Sequence, residues 1–404
     1  MMRRSAVFNA RIVYSGVALA SGGIAFYTPL MLAAVGLQYS GTWAAAILCG
    51  VNLGRLLGAR LASRHAVFTR RSAAIVANIL LEGVALFSMA FLAQPWMLVT
   101  AATVAGLGSG LSFSGMKNAL LRIPGLDPAR AFAGLSVAFR VGMSGGYLAG
   151  ALVGGAHLTL VFGVLLLLFV AYAGAMHVAL ADIAAGERLA AATPAPMVPV
   201  ASSVAAAPAA ATGLPRLLVA TLAFWFLTVQ PTVTLSLYVP RFVPGLPVSA
   251  TYWVLTVTVL LLQMRVTAFA RDRRDHLRFL RIGTACLLAG FVAMCLAAGS
   301  IALVLAATLL LALSQVFFCP SIDVLVAGAA RAGGLDTGRT LARQHFWQNL
   351  GMTAGSLAAG AVFDLSLRWG VPWLAWAAGA VGALLMLVGW GVGERRSEPV
   401  ARVA

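Results

Sequence analysis

Among the ionisable side chains that lie inside long apolar runs of this 404-residue chain are Arg55, Glu82, Lys117, Arg140, Asp323 and His345. Charge placed in hydrocarbon costs at least about 2.5–3.5 kcal/mol per group on insertion scales. Each such group therefore holds a charged solute, moves a proton or braces the fold by pairing. Arg140 is nine residues beyond the start of its run. That is roughly 14 Å at ~1.5 Å per residue, near the midplane of a hydrocarbon core about 30 Å thick. Arg55 and Glu82 reach comparable depth. Lys117, the only lysine, sits nearer the end of its run, where its ammonium is expected to snorkel to the interface. Two readings compete for the arginines. Either Arg55 and Arg140 present positive charge to an anionic solute, or Glu82 pairs with one of them as a structural bridge. One carboxylate cannot neutralise both, so at least one arginine is left for a solute, and Arg140 is the preferred choice.

Proton coupling needs a carboxyl or imidazole that changes protonation between two access states. Glu82, Asp323 and His345 are the candidates by type, with an Asp323–Arg343 ion pair forming part of a gate as the competing reading. Asp364, at the end of its run, reads as a solvated end residue. Tyr14, Asn118, Trp347 and Asn349, with Tyr27, Trp225, Gln230, Tyr238, Gln315 and Gln348, could hold an amphipathic solute by stacking and hydrogen bonding. Packing and interfacial anchoring are the competing reading of the aromatics. No metal site is expected. The 13 Met and four Cys (Cys49, Cys286, Cys295, Cys319) show neither Met-x3-Met nor Cys-x-x-Cys spacing. With no Walker phosphate loop and no nucleophile–base spacing, neither ATP coupling nor an enzymatic activity is expected, and no cofactor.

The composition dictates the elements that carry these groups. Hydrophobic residues make up 61% of the chain and charged ones 10%, against about 45–50% and ~25% in soluble domains. A soluble enzyme, a disordered chain and a disulfide-stapled domain are excluded. Apolar runs of spanning length fall at 12–36, 41–62, 73–93, 97–120, 131–155 and 158–181. Six more fall at 216–240, 250–270, 279–299, 301–328, 341–363 and 371–392. The least marked division is Ala298-Gly299-Ser300. The first run is too long for a cleaved signal peptide and reads as a span. The expected architecture is an all-α polytopic membrane protein of twelve transmembrane helices. Its expected organisation is a bundle over 1–181, a cytoplasmic Ala/Pro-rich linker over 182–215, and a second bundle with a short tail over 216–404. Pro194, Pro196, Pro199, Pro208 and Pro215 rule out a continuous helix through the linker.

The formal charge of +17 is distributed by topology. Placing the N-terminus inside puts Arg60, Arg64, Arg70 and Arg71, and likewise Arg271, Arg273, Arg274 and Arg278, on cytoplasmic loops. Only Arg241 and Arg368 are left for loops of the other face. Both termini are then cytoplasmic, and the basicity orients helices in a bilayer rather than marking a nucleic-acid site.

The two halves repeat. Asp127-Pro-Ala-Arg130 is matched 209 residues later by Asp336-Thr-Gly-Arg339, and Gly142-Met143 and Gly146 by Gly351-Met352 and Gly355. Residues 127–155 and 336–364 share nine identities in 29 positions. With the basic loops around Gly58–Arg71 and Arg271–Arg278, these features resemble the major facilitator superfamily over essentially the whole chain. The run Gly142-x3-Gly146-x3-Gly150 is similar to the glycine motif of that family's antiporters, with Tyr147 in place of the motif's proline. The loop also lacks the family's Asp before its first Arg.

The resemblance implies two six-helix bundles around a central cavity, working by alternating access. It implies a monomer with the lipid bilayer, a small solute and protons as partners, in a bacterial-type inner membrane. Spans one, two, four, five and ten would border the cavity, which favours Asp323 for coupling. Gly50, Gly54 and Gly58, then Gly142, Gly146 and Gly150, then Gly351 and Gly355 would be seams where the halves rock, close packing within one half being the alternative. The expected activity is proton-coupled efflux of an anionic or metal-chelating organic compound, such as a siderophore or organic acid. Import of such a solute, drug export, and a non-transporting scaffold are the alternatives.

Overall fold

The structure, a computed structural model, describes residues 6–65, 67–123, 128–153, 158–192, 213–269, 272–335 and 337–395. The described residues are helical almost throughout and contain no strand. The elements are α1 (Ala6–Gln38), α2 (Gly41–Arg64), the one-turn α3 (Val67–Arg70), α4 (Ser72–Ser88), α5 (Pro95–Leu121), α6 (Pro128–Val153) and α7 (Leu158–Ala192). There follow α8 (Leu214–Phe242), α9 (Val248–Phe269), α10 (Arg273–Leu296), α11 (Ile301–Ala332), α12 (Thr337–Arg368) and α13 (Leu374–Arg395). Each of the twelve apolar runs thus coincides with a helix, as a backbone without water partners requires. Among the described residues, nine helices are long and apolar enough to cross a membrane, and α9 and α13 add the shorter stretches Val248–Gln263 and Leu374–Trp390.

Polar residues set the breaks. Pro95 opens α5 at a position where its missing N–H costs nothing. Asp272 and Asp275 form a capping box at the start of α10, with Asp275 N donating to Asp272 Oδ1 at 2.9 Å. At the weakly marked division before α11, Ala298 and Gly299 take φ of 42° and 83°, and Ser300 then caps the helix. The linker begins later than expected. Helix α7 continues past Asp182 to Ala192, because this alanine-rich stretch favours helix and the first disfavoured position is the one before Pro194. Residues 193–212, which hold most of the expected linker, lie outside the described residues.

The chain divides into two compact units. One comprises Met1–Ala34 with Ile47–Val204, the other Val35–Ala46 with Ala205–Ala404. In the first, α4 packs on α5 and α7; in the second, α10 packs on α11 and α13. The glycine seams repeat in register. A Cβ at Gly142 or Gly146 of α6 would collide with the carbonyls of Ala18 and Gly22 on α1. One at Gly351 or Gly355 of α12 would collide with those of Leu222 and Phe226 on α8.

This corrects the expectation of seams between the halves. Gly50, Gly54 and Gly58 face the backbone of α5, and the α6 and α12 glycines face α1 and α8, so every stripe is taken up inside one unit. A face without side chains gains dispersion wherever a backbone can reach it, and the partner of the same unit does so first. Gly150 is on the same helix as Gly142 and Gly146, its surroundings outside the described ones.

Candidate functional site

Helix α5 is the plank on which the first unit's charges are mounted. On one side Gly106 and Gly110 let it lie against the backbone of Val51 and Arg55 on α2. On the other, Gly108 lets it lie against the backbone of Asn78 and Glu82 on α4. The residue between, Ser109, donates its hydroxyl to the Glu82 carboxylate, and the Arg55 guanidinium is within electrostatic reach of the same group. Glu82 is 4% exposed, and Arg55 is half-buried. Tyr172 of α7 is fully buried beside them, its hydroxyl on the Met116 sulfur and its ring filling the space that Gly16 of α1 leaves open. Asn52, one turn before Arg55, is fully buried with neither amide atom hydrogen-bonded, and Asn78 Nδ2 is likewise unpartnered. Buried ionisable and amide groups of this unit thus include Asn52 on α2 and Asn78 and Glu82 on α4, on either side of α5.

Arg140 is carried by α6. Its height is set by the α1–α6 seam, where Ser21 Oγ donates to Phe139 O at 3.0 Å and Gly142 meets Ala18. Two turns earlier on α6, Gly134 packs against the Tyr14 ring of α1. Arg140 and Tyr14 are both half-buried. Lys117 departs from the snorkelling expectation. Its ammonium lies 4.6 Å from the Phe113 ring centroid, one turn back along α5 and away from the nearer helix end. The ring face supplies a partner in place, and helical side chains lean towards the N-terminus. Asn118, beside it, is half-buried.

In the second unit, Asp323 accepts a hydrogen bond from Gln344 Nε2 at 2.6 Å, joining α11 to α12. Gln344 is buried, whereas Arg343, the expected partner, is exposed, as is His345. Successive helical residues point about 100° apart, and the one turned inward here is Gln344. Trp347 and Asn349 are half-buried further along α12, where Asn349 O accepts from Thr353 Oγ1 at 2.8 Å. Asp364 is also not a solvated end residue, since it bonds the first turn of α2. Among the described residues, no group of three or more His, Cys, Asp or Glu is placed to hold a metal ion.

Sequence reasoning missed Ser109, Tyr172 and Gln344. Ser109 carried a signal, standing in Gly106-Leu-Gly-Ser-Gly110, where flanking glycines mark close approach on both sides. Tyr172 lies in an apolar run like any core aromatic, and nothing in the sequence separates Gln344 from its neighbours.

No protein-family model and no curated protein sequence matches the chain. Solved structures do. The nucleoside transporter NupG superposes with a TM-score of 0.69 at 13% identity, over 96% of this chain and 98% of that one. The POT family transporter PepTSo gives 0.69 at 15% identity over the same shares. The human organic anion transporter MFSD10 gives 0.61 at 16% identity, over 96% of this chain and all of its own. The chain has the major facilitator fold. At these identities the likeness is one of fold, and it extends over nearly the whole length of each neighbour.

Proposed function

We propose that this chain of major facilitator fold is a secondary active transporter. It moves a small organic anion, or a metal-chelating compound with an anionic part, across a bacterial inner membrane by alternating access coupled to protons. Both termini face the cytoplasm. The observation that carries the reading is the Glu82–Ser109–Arg55 cluster, an ionisable pair inside the bilayer that packing alone does not need. Arg140, at midplane depth on another helix of the same unit, supplies a second cation for the solute. That one structural neighbour is an organic anion transporter is in keeping with this choice of substrate.

The sign of the coupling follows from the pair. While Glu82 is ionised, it neutralises Arg55. A proton on Glu82 leaves the guanidinium free for an anionic solute, so proton and anion favour each other's binding. Positively linked ligands travel together, which favours cotransport into the cell over the antiport efflux implied by the glycine-rich α6.

The test is flux of a panel of organic anions, siderophores and cationic drugs in proteoliposomes under an imposed pH gradient. Wild type is expected to accumulate an anion with the proton gradient. Glu82→Gln should carry the anion without responding to that gradient, and Arg140→Ala should lose transport at least tenfold while still folding. Accumulation of cations only, or gradient-driven transport by Glu82→Gln at the wild-type rate, overturns the assignment. Anion movement against the proton flux returns the efflux reading.

A further inference from the structure

Asn52 of α2 is fully buried, and neither its amide nitrogen nor its amide oxygen makes a hydrogen bond. Asn78 of α4 is 7% exposed, and its Nδ2 is likewise unpaired. Asn52 is three residues before Arg55 and Asn78 four before Glu82, so each amide stands about one helical turn from one member of the charged pair. The direction of that turn differs. Gly50, Gly54 and Gly58 of α2 meet Thr103, Gly106 and Gly110 of α5 in turn, so α2 runs parallel to α5. Gly108 of α5 meets Glu82 of α4 and Gly115 meets Ile75, so α4 runs the other way. Asn52 and Asn78 therefore lie on opposite sides of the pair along the axis of α5. With the termini in the cytoplasm, as proposed above, Asn52 is on the outer side. Glu82 is also the only acidic residue in the first 126 of the chain.

We propose that Asn52 and Asn78 hold the waters through which Glu82 takes a proton from one side of the membrane and passes it to the other. The proposal rests on the reading of Glu82 as the coupling carboxyl. A carboxyl only 4% exposed exchanges its proton along a hydrogen-bonded chain. An amide offers water both donors and an acceptor and does not titrate, so it holds such a chain in place without capturing the proton. A buried amide with no protein partner destabilises the fold unless water pairs with it, and a leucine of similar size would fill either position without that penalty. Two such amides flanking one carboxyl are therefore not what packing selects. On the outer side hydronium gives its proton to the Glu82 carboxylate and is left as water. On the cytoplasmic side the Glu82 carboxyl gives that proton to water and is left as carboxylate.

The test follows the Glu82 proton and needs no solute. The full chain in lipid nanodiscs is held in acidic buffer, and the protonated carboxyl band that Glu82→Gln removes is assigned to Glu82 by infrared difference spectroscopy. The rate at which this band shifts after a change to deuterated buffer reads the access of water. Asn52→Leu and Asn78→Leu together should slow that rate about tenfold or more, and each leucine alone should slow it less, because the other side stays open. The melting temperature in detergent should hold or rise, since leucine has no amide to leave unpaired. Asn52→Ser with Asn78→Ser should exchange like wild type, a hydroxyl being able to hold water as well. A Glu82 band that exchanges at the wild-type rate in the double leucine variant overturns the inference. So does failure of that variant to fold, which would give the amides partners within the protein. A Glu82 band absent at every pH removes the coupling carboxyl, and with it both this inference and the proton-coupled reading, whereas the first two outcomes leave that reading and its flux test intact.

Discussion

The two units use one helix arrangement around opposite chemistries. In the first, the third long helix, α4, turns Glu82 towards Ser109 of α5, with Tyr172 of α7 alongside. In the second, the corresponding α10 turns Phe291 into an aromatic-lined site. Its ring fills the space over Gly379 of α13 and lies 6.5 Å from the Trp376 ring, both aromatics being fully buried. Phe224 of α8 and Phe318 of α11 stack nearby at 3.7 Å and 4°. The second unit is thus held by aromatic burial, worth about 0.5–1.5 kcal/mol per ring pair beyond its buried area. The first accepts ionisable groups at the same kind of position. A scaffold that folds with either filling does not need the charges for stability, which is in keeping with the proposed role of Glu82 and Arg55.

Four substitutions probe the comparison, taken from the largest expected effect to the smallest. Phe291→Glu puts a carboxylate where the second unit offers no Ser109 or Arg55. It should abolish recovery of folded protein, read as the monodisperse fraction after detergent extraction, and normal recovery would mean the second core accepts charge as the first does. Gly146→Leu and Gly355→Leu occupy equivalent seams. They should lower thermal stability in detergent by similar amounts, several degrees or more, because each forces backbone apart; a large inequality would break the repeat at this point. Ser109→Ala removes the hydroxyl that bonds the Glu82 carboxyl. It should alter the pH profile of flux with little change in melting temperature, whereas Thr308→Ala on α11, bonded only to its own helix at Val304 O, should leave that profile alone. Arg343→Ala should fall within about 0.5 kcal/mol of wild type, as for an exposed side chain, while Gln344→Leu costs more by leaving Asp323 without this donor. The reverse order would restore the ion pair inferred from sequence.

Much of the fold was legible because hydrocarbon leaves few options. Each apolar run long enough to span became a helix, and the 209-residue repeat of Gly142 and Gly146 reappears as matching seams on α1 and α8. The site was legible by type and not by pairing. Arg55, Glu82 and Arg140 stood out because charge is rare in such runs. That Glu82 meets Ser109 depends on which face of α5 its glycines turn to α4, and two such faces are present in Gly106-Leu-Gly-Ser-Gly110. The linker start was misplaced at Asp182 because a charged residue resembles a span's end, while an alanine-rich helix continues in water as readily as in lipid.

The sequence by itself determined the all-helical membrane architecture, the internal repeat and the short roster of ionisable residues. Composition and periodicity express solvent, and the solvent of this chain is a bilayer. Only the tertiary structure decided that the glycine stripes close seams within units, that Asp323 meets Gln344 and not Arg343, and that Asp364 seizes the start of α2. Those outcomes hang on helix rotation. A turn of one residue, about 100°, exchanges one partner for another without altering any hydrophobic pattern that a linear reading can detect.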